Sequence, residues 1–262
     1  MKKFNFNKFT FILTFILLIF LLIFLCNFIY NIFLNKIYLE NSIKNVDDIF
    51  TINKITLFSS CFANSNINSN NTTTINNLSQ YTDIAIFIDT VSKDFTLENT
   101  LKSVSIDGIS LNTLPLLGTP NLYYKGLNSF ATPNLLEENL LDSSLDFSIS
   151  SEDEIDFSKP ILFNNCANPI TLSFLNSNIK SNYTLTNGSS VTYDGSLLKN
   201  CNVLLNDLKC NLSFTISLEN NLGQIFKCPV YIDIVLNDSS SSIYDGSFTY
   251  SYNPNYSFYL CK

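Results

Sequence analysis

A run of 27 residues without a charge, bracketed by Lys8 and Lys36, constrains this chain more than any other feature. From Phe9 to Leu25 it is Phe, Ile and Leu, interrupted only by Thr10 and Thr14. Wound as an α-helix, the uncharged run would extend ~40 Å, against a bilayer hydrocarbon core of ~30 Å. The sequence therefore predicts a transmembrane helix over residues 9–34, in contact with membrane lipid. Tyr30, apolar in body and polar at its tip, suits the outer interface.

A cleaved leader fits poorly, because the apolar region is too long and no small-x-small site follows it. Lipoprotein processing needs a small residue before the modified Cys. Cys26 follows Leu25, and Cys61, which follows Ser59-Ser60, lies far beyond the apolar run. The type IV pilin processing site needs Gly at the position of Lys8 and Glu at that of Leu13, and neither is present. The expectation is an uncleaved signal anchor.

Orientation follows from the flanks. Lys2, Lys3 and Lys8 precede the span with no acid, whereas Lys36 and Lys44 follow it mixed with Glu40, Asp47 and Asp48. This bias places residues 1–8 in the cytoplasm and the C-terminal domain outside, at the cell membrane. Residues 37–262 carry 11 Lys and all 22 acids, a net charge of −11. An acidic domain of this kind argues against a nucleic-acid partner and against adhesion to anionic lipid.

Residues 35–80 read as a juxtamembrane segment and tether. Ile43, Val46 and Phe50 suggest a short amphipathic helix, and Ile52–Phe58 a strand. Asn64 to Gln80 is almost wholly Asn, Ser and Thr, a composition that reads as a loop. Residues 81–262 are expected to form the β-rich domain, with a division into two subdomains near 140–160 left open. Short apolar runs predict strands at Ile84–Ile88, Leu122–Tyr124, Leu145–Ile149, Ile161–Phe163, Ile170–Leu175 and Tyr183–Thr186. More are predicted at Val203–Leu205, Leu212–Leu218, Ile225–Leu236, Phe248–Tyr252 and Tyr256–Leu260. Leu135–Leu141 suggests a helical turn. Asp107-Gly108, set between alternating apolar residues, predicts a hairpin turn. Leu212, Phe214, Ile216 and Leu218 alternate with Ser213, Thr215 and Ser217, the pattern of a half-buried antiparallel strand. The fold class expected is mostly β: an N-terminal transmembrane helix followed by an antiparallel β-sandwich-like ectodomain. Tyr193-Asp194-Gly195-Ser196 recurs as Tyr244-Asp245-Gly246-Ser247, but the flanks differ and give no sign of duplication.

Cys26 lies in the predicted span. Cys61, Cys166, Cys201, Cys210, Cys228 and Cys261 lie outside it and are disulfide candidates in an exported domain. Cys201 and Cys210 flank a short stretch and are the most plausible local pair. If Leu218 pairs near Gln224, Cys210 falls opposite Ile232 and not opposite Cys228.

Absent residue types exclude several chemistries. The chain has no His, no Trp and no Arg. Serine–histidine and cysteine–histidine catalysis are impossible from its own side chains, and bidentate guanidinium clamping is missing. No Cys-x-x-Cys suggests zinc, and the seven glycines form no phosphate-binding loop. Ser177-Asn178-Ile179-Lys180 and Ser196-Leu197-Leu198-Lys199 fit Ser-x-x-Lys, but in a chain this rich in Ser and Lys such matches arise by chance. Penicillin-binding enzymes place that motif on a helix, which is not expected here. Glu152, Asp153, Glu154 and Asp156 form a weak calcium candidate, lacking the glycine of a tight loop. No cofactor is expected. The sequence suggests a non-enzymatic, single-pass surface protein with a structural or recognition role and a possible protein partner at its ectodomain. Its alternatives are a component of a cell-envelope assembly joined through the helix, or a hydrolase using carboxylates or Ser–Lys.

Overall fold

The computed structural model describes residues 18–30, 49–68, 72–91, 96–125, 129–135, 140–141, 145–148, 169–185 and 191–261. The chain falls into two compact units, Met1–Asp47 and Asp48–Lys262.

The described part of the first unit is one helix, α1, of 13 residues at 18–30. At ~1.5 Å per residue it is ~20 Å long. No helix among the described residues is long and apolar enough to cross a membrane. The rest of the predicted 9–34 span, and the amphipathic helix expected from Ile43 and Val46, lie outside the described residues. Phe50, assigned to that helix, instead opens the first strand.

The second unit is mostly β. Its strands are β1 (Phe50–Ile67), β2 (Thr73–Thr90), β3 (Leu101–Thr113), β4 (Thr119–Tyr124), β5 (Leu145–Ser148), β6 (Ile170–Lys180), β7 (Tyr183–Leu185), β8 (Asn211–Asn220), β9 (Ile225–Asp233), β10 (Phe248–Tyr252) and β11 (Tyr259–Cys261). A one-turn helix, α2, covers Ser196–Asn200. Two antiparallel sheets form a sandwich-like fold. One runs β10-β1-β2-β6-β4 with β7 added to β2, and the other runs β11-β9-β8-β3-β5. The chain passes repeatedly from one sheet to the other. Residues before and after 140–160 therefore share both sheets (β2 with β6, β3 with β8), and a split into two subdomains there does not occur.

The alternation read from β8 holds except at Ser217: Leu212, Phe214, Ile216 and Leu218 are buried and Ser213 and Thr215 are partly exposed, but Ser217 is buried as well. In β9, Phe226, Cys228, Val230 and Ile232 are buried opposite exposed Ile225, Pro229, Tyr231 and Asp233. These residues share one apolar cluster with Ile84, Ile86 and Ile88 of β2 and Leu172 and Phe174 of β6. Phe50 sits in the same cluster with its ring edge-on to Phe226, centroids 5.2 Å apart.

Three expectations are overturned. The Asn64–Gln80 tether is instead the distal part of a long β1–β2 hairpin, paired from Asn64↔Asn77 to Ile67↔Thr73. Its polar side chains find partners: Thr74 bonds Thr184 across β7, and the Asn77 side-chain oxygen accepts from Asn178 N. Ile75 and Leu78 reach the core from the same stretch. The folded domain thus begins with β1 and not at Tyr81. Asp107-Gly108 does not reverse the chain. β3 runs straight through it with a register shift between Asp107 and Ser110, and Gly108, at φ +64°, supplies the left-handed residue of a bulge. Val203–Leu205 is not a strand, because Leu205–Leu208 winds into a 3-10 turn. Of the predicted Leu135–Leu141 turn only the ends are described, and Leu140 bridges to Tyr123. Ile161–Phe163 lies outside the described residues.

Candidate functional site

The most polar buried site lies on sheet β10-β1-β2-β6-β4. From Leu78 to Ile86 β2 is buried on both faces, so its odd-numbered residues there are as enclosed as the Ile84–Ile88 row. Asp83 is one of them. Register places it opposite Phe58 on β1 and opposite Ser173 on β6, and Ser173 in turn faces Tyr123 on β4. Just beyond β4, Lys125 N bonds Thr171 O, which brings the lysine onto the face that holds Asp83. Phe130 packs against Phe58, with centroids 6.4 Å apart, and carries the following segment over the same face.

The result is a closed ion pair. Lys125 Nζ lies 2.8 Å from Asp83 Oδ1 and 2.7 Å from Oδ2, with side-chain exposures of 2% and 0%. Ser173 Oγ donates to Oδ1 and Ala131 N to Oδ2, each at 2.7 Å. Lys125 Nζ also donates to the Thr132 carbonyl and stands over the Tyr81 ring, 5.3 Å from its centroid. Burial pushes the Asp83 carboxyl pKa upward against the pull of Lys125, Ser173 and Ala131. The Tyr81 phenol is raised to about 12, chiefly by burial and then by the Asp83 charge.

A second polar cluster faces the interior. Gln80 of β2 lies opposite Cys61 of β1 and Asn176 of β6. Gln80 Nε2 donates to Thr82 Oγ1, which also bonds Ser59 Oγ. Asn176 Nδ2 donates to Leu117 O. The side-chain oxygens of Gln80 and Asn176 are buried and accept no hydrogen bond from the described residues.

A surface cleft of about 420 Å³ opens between the end of β9 and the 3-10 turn Leu205–Leu208. Thr113, Asn206, Lys209, Asn211, Asp233 and Asn237 are among its lining residues. Leu116 N and Leu117 N both donate to Asp207 O and fix the neighbouring segment. Leu114, Leu116 and Leu204 on these segments are 61%, 80% and 64% exposed.

Cys61, Cys201, Cys210 and Cys228 are buried free thiols, Cys261 is a partly exposed one, and Cys26 lies exposed on α1. No disulfide is formed among the described residues, and the local Cys201–Cys210 pairing is not made. Cys201 caps the C-terminus of α2. The Cys210 carbonyl accepts from Ile234 N, so Cys210 sits two residues from its expected position opposite Ile232, and Cys228 faces Ile216. Burial raises the Cys210 and Cys228 thiols to about 12, and Cys61 well above its usual value.

The Ser-x-x-Lys motifs are separated from any shared chemistry. Contrary to expectation, Ser196 and Lys199 do stand on a helix, α2. Ser196 Oγ, however, donates to Asp194 Oδ1 and Lys199 is exposed. Ser177 Oγ donates to Thr119 O, and Lys180 Nζ to Cys201 O. Glu152, Asp153, Glu154, Asp156 and Cys166 lie outside the described residues, and among the described residues no three His, Cys, Asp or Glu side chains gather. The repeated Tyr-Asp-Gly-Ser turns touch each other: Gly195 N donates to Gly246 O at 2.5 Å.

Asp83–Lys125 could not have been paired from sequence. The one legible signal was an acid inside the apolar run Tyr81–Ile88. No protein family, curated protein or solved structure matches the chain.

Proposed function

We propose that the chain is a single-pass membrane protein, cytoplasmic at its N-terminus, that holds its β-sandwich outside the membrane for a non-enzymatic recognition or structural role. The observation that carries this reading is α1. Every residue from Leu18 to Tyr30 is exposed, including Phe20 at 68% and Phe24 at 72%, and the only strongly polar side chain among them is Asn27. A helix apolar on all sides needs an apolar surrounding, and the uncharged run of which it is part is long enough to span with lipid as that surrounding. Recognition is supported by the 420 Å³ cleft and by Leu114, Leu116 and Leu204 on the segments that border it. Exposed leucines beside a concave cleft lined more by apolar than by polar surface suit contact with a protein partner.

Membranes carrying the full chain, washed in alkaline carbonate, should retain it in the pellet. Protease added to intact cells should remove a C-terminal tag and spare an N-terminal one. Recovery in the soluble fraction, or protection of the C-terminal tag, would refute the topology. For the recognition role, Leu116→Asp should abolish crosslinking to surface partners without altering membrane retention. Unchanged crosslinking would refute that assignment.

A further inference from the structure

We propose that Lys125 and Asp83 become joined by an intramolecular amide bond between Nζ and Cγ, a covalent staple from β2 to the segment that follows β4. The geometry provides what such a condensation requires. The amine is held in hydrogen-bond contact with both carboxyl oxygens, at 2.8 and 2.7 Å, so the bimolecular encounter is already made. Rotation about the Asp83 Cβ–Cγ bond, a soft sp³–sp² torsion, turns the face of the carboxyl toward Nζ. The pair is enclosed, with neither side chain more than 2% exposed, so bulk water is kept from reversing the reaction.

The step needs no outside reagent. A proton passes from the Lys125 ammonium to the Asp83 carboxylate, leaving a neutral amine and a neutral acid. The raised carboxyl pKa lowers the cost of this transfer. The Nζ lone pair attacks Cγ and forms the C–N bond. Charge that develops on Oδ2 meets the fixed N–H of Ala131, a donor already aimed at that oxygen. Ser173 Oγ, on Oδ1, can both donate and accept. It relays a second proton from Nζ to the departing hydroxyl, which leaves with its C–O bond as water. The ammonium and carboxylate together hold three protons and two oxygens. One proton and one oxygen remain in the amide, and the rest depart as water. The Thr132 carbonyl, already an acceptor for Nζ, takes the remaining N–H. The driving force is local: two buried charges, each costly to keep from water, become one neutral and hydrogen-bonded group.

The test is the mass of the full-length chain, extracted in detergent and denatured, with peptide mapping to make the result independent of N-terminal processing. The expected result is a chain one water lighter than its sequence, with the peptides bearing Asp83 and Lys125 recovered as one branched species. Lys125→Arg should restore the full mass. Ser173→Ala should slow the appearance of the branched peptide about a hundredfold, the low end of the scale for losing a positioned proton-transfer group. Separate, unmodified Asp83 and Lys125 peptides from wild-type chain that unfolds cooperatively would overturn the proposal. A Lys125→Arg chain still one water light would overturn it as well.

Discussion

The contact between the two Tyr-Asp-Gly-Ser turns makes Gly195 a position at which a single methyl group should do marked harm. Its backbone is ordinary, at φ −60°, so alanine meets no conformational penalty there. The obstacle is space. A Cβ on Gly195 would lie 2.2 Å from Ile243 O, 2.5 Å from Ile243 Cγ1 and 2.7 Å from Gly246 O. Two of these atoms are backbone and cannot swing aside. Relief requires the turns to separate, which costs ~1–3 kcal/mol as overpacking. It also weakens the Gly195 N to Gly246 O hydrogen bond, worth ~1 kcal/mol. Gly195→Ala should therefore lose ~2–4 kcal/mol. With a urea slope of ~2–3 kcal/mol/M, the midpoint falls by about 1 M. Far-UV circular dichroism in urea suits the measurement, since the chain has no Trp. Gly108→Ala is the control: nothing lies within 4 Å of the added methyl, but φ is +64°, so only the left-handed backbone cost of ~1 kcal/mol applies. A Gly195→Ala midpoint equal to wild type, or higher than that of Gly108→Ala, would refute the steric reasoning.

Phe50→Ala removes a fully buried ring packed on Phe226 and should cost ~3–5 kcal/mol in the same urea assay. Lys102 Nζ holds the Glu219 carboxyl below its usual pKa. Its stabilisation is present above the unfolded carboxylate range and is lost as pH falls through the lowered folded value. Glu219→Gln should thus cost ~0.5 kcal/mol at neutral pH, in keeping with a partly exposed pair, and nothing in strong acid. A native-state maleimide time course should label Cys261 before Cys210 and Cys228. At a pKa of about 12 those thiols hold roughly a thousandfold less thiolate than an ordinary one. Lys125→Ala, leaving the Asp83 carboxylate buried and alone, should cost ~3–5 kcal/mol. The loss should grow with pH, because a raised carboxyl pKa makes the folded state disfavour ionisation that the unfolded chain accepts. The double change Asp83→Leu with Lys125→Met should be less damaging than Lys125→Ala alone.

Where side chains alternate cleanly, the sequence was a sufficient guide. The buried faces of β8 and β9 could be read because the opposite faces are largely wet, although Ser217 is buried and β9 ends at Asp233 instead of Leu236; Phe248–Tyr252 emerged with its expected bounds. Residues 64–80 mislead because Asn, Ser and Thr read as solvated groups. In a hairpin their side chains satisfy one another across strands, and the apolar contribution falls to Ile75 and Leu78 alone. Asp107-Gly108 misled for a related reason: the same positive φ that makes a hairpin turn also makes a bulge, and only the partner strand decides which. The buried ion pair was hidden because its partners stand 42 residues apart and meet only through β6.

The arrangement of β1 bears on how a domain held at its N-terminus would carry load. An edge strand can be peeled away one ladder at a time, but β1 is internal. It is paired with β10 from Ile55 to Ser59 and with β2 from Phe50 to Ile67. A pull directed along β1 would find these hydrogen bonds lying across it, so that they must yield together. β11, at the opposite end of the chain, is a three-residue edge strand on the other sheet. The next strand inward, β2, carries Asp83. Its ties to Lys125, Ser173 and Ala131 therefore fasten the load-bearing hairpin to β6 and to the segment after β4. The costly buried charge thus lies in the sheet that holds the anchored strand, where a covalent link would resist extension most directly.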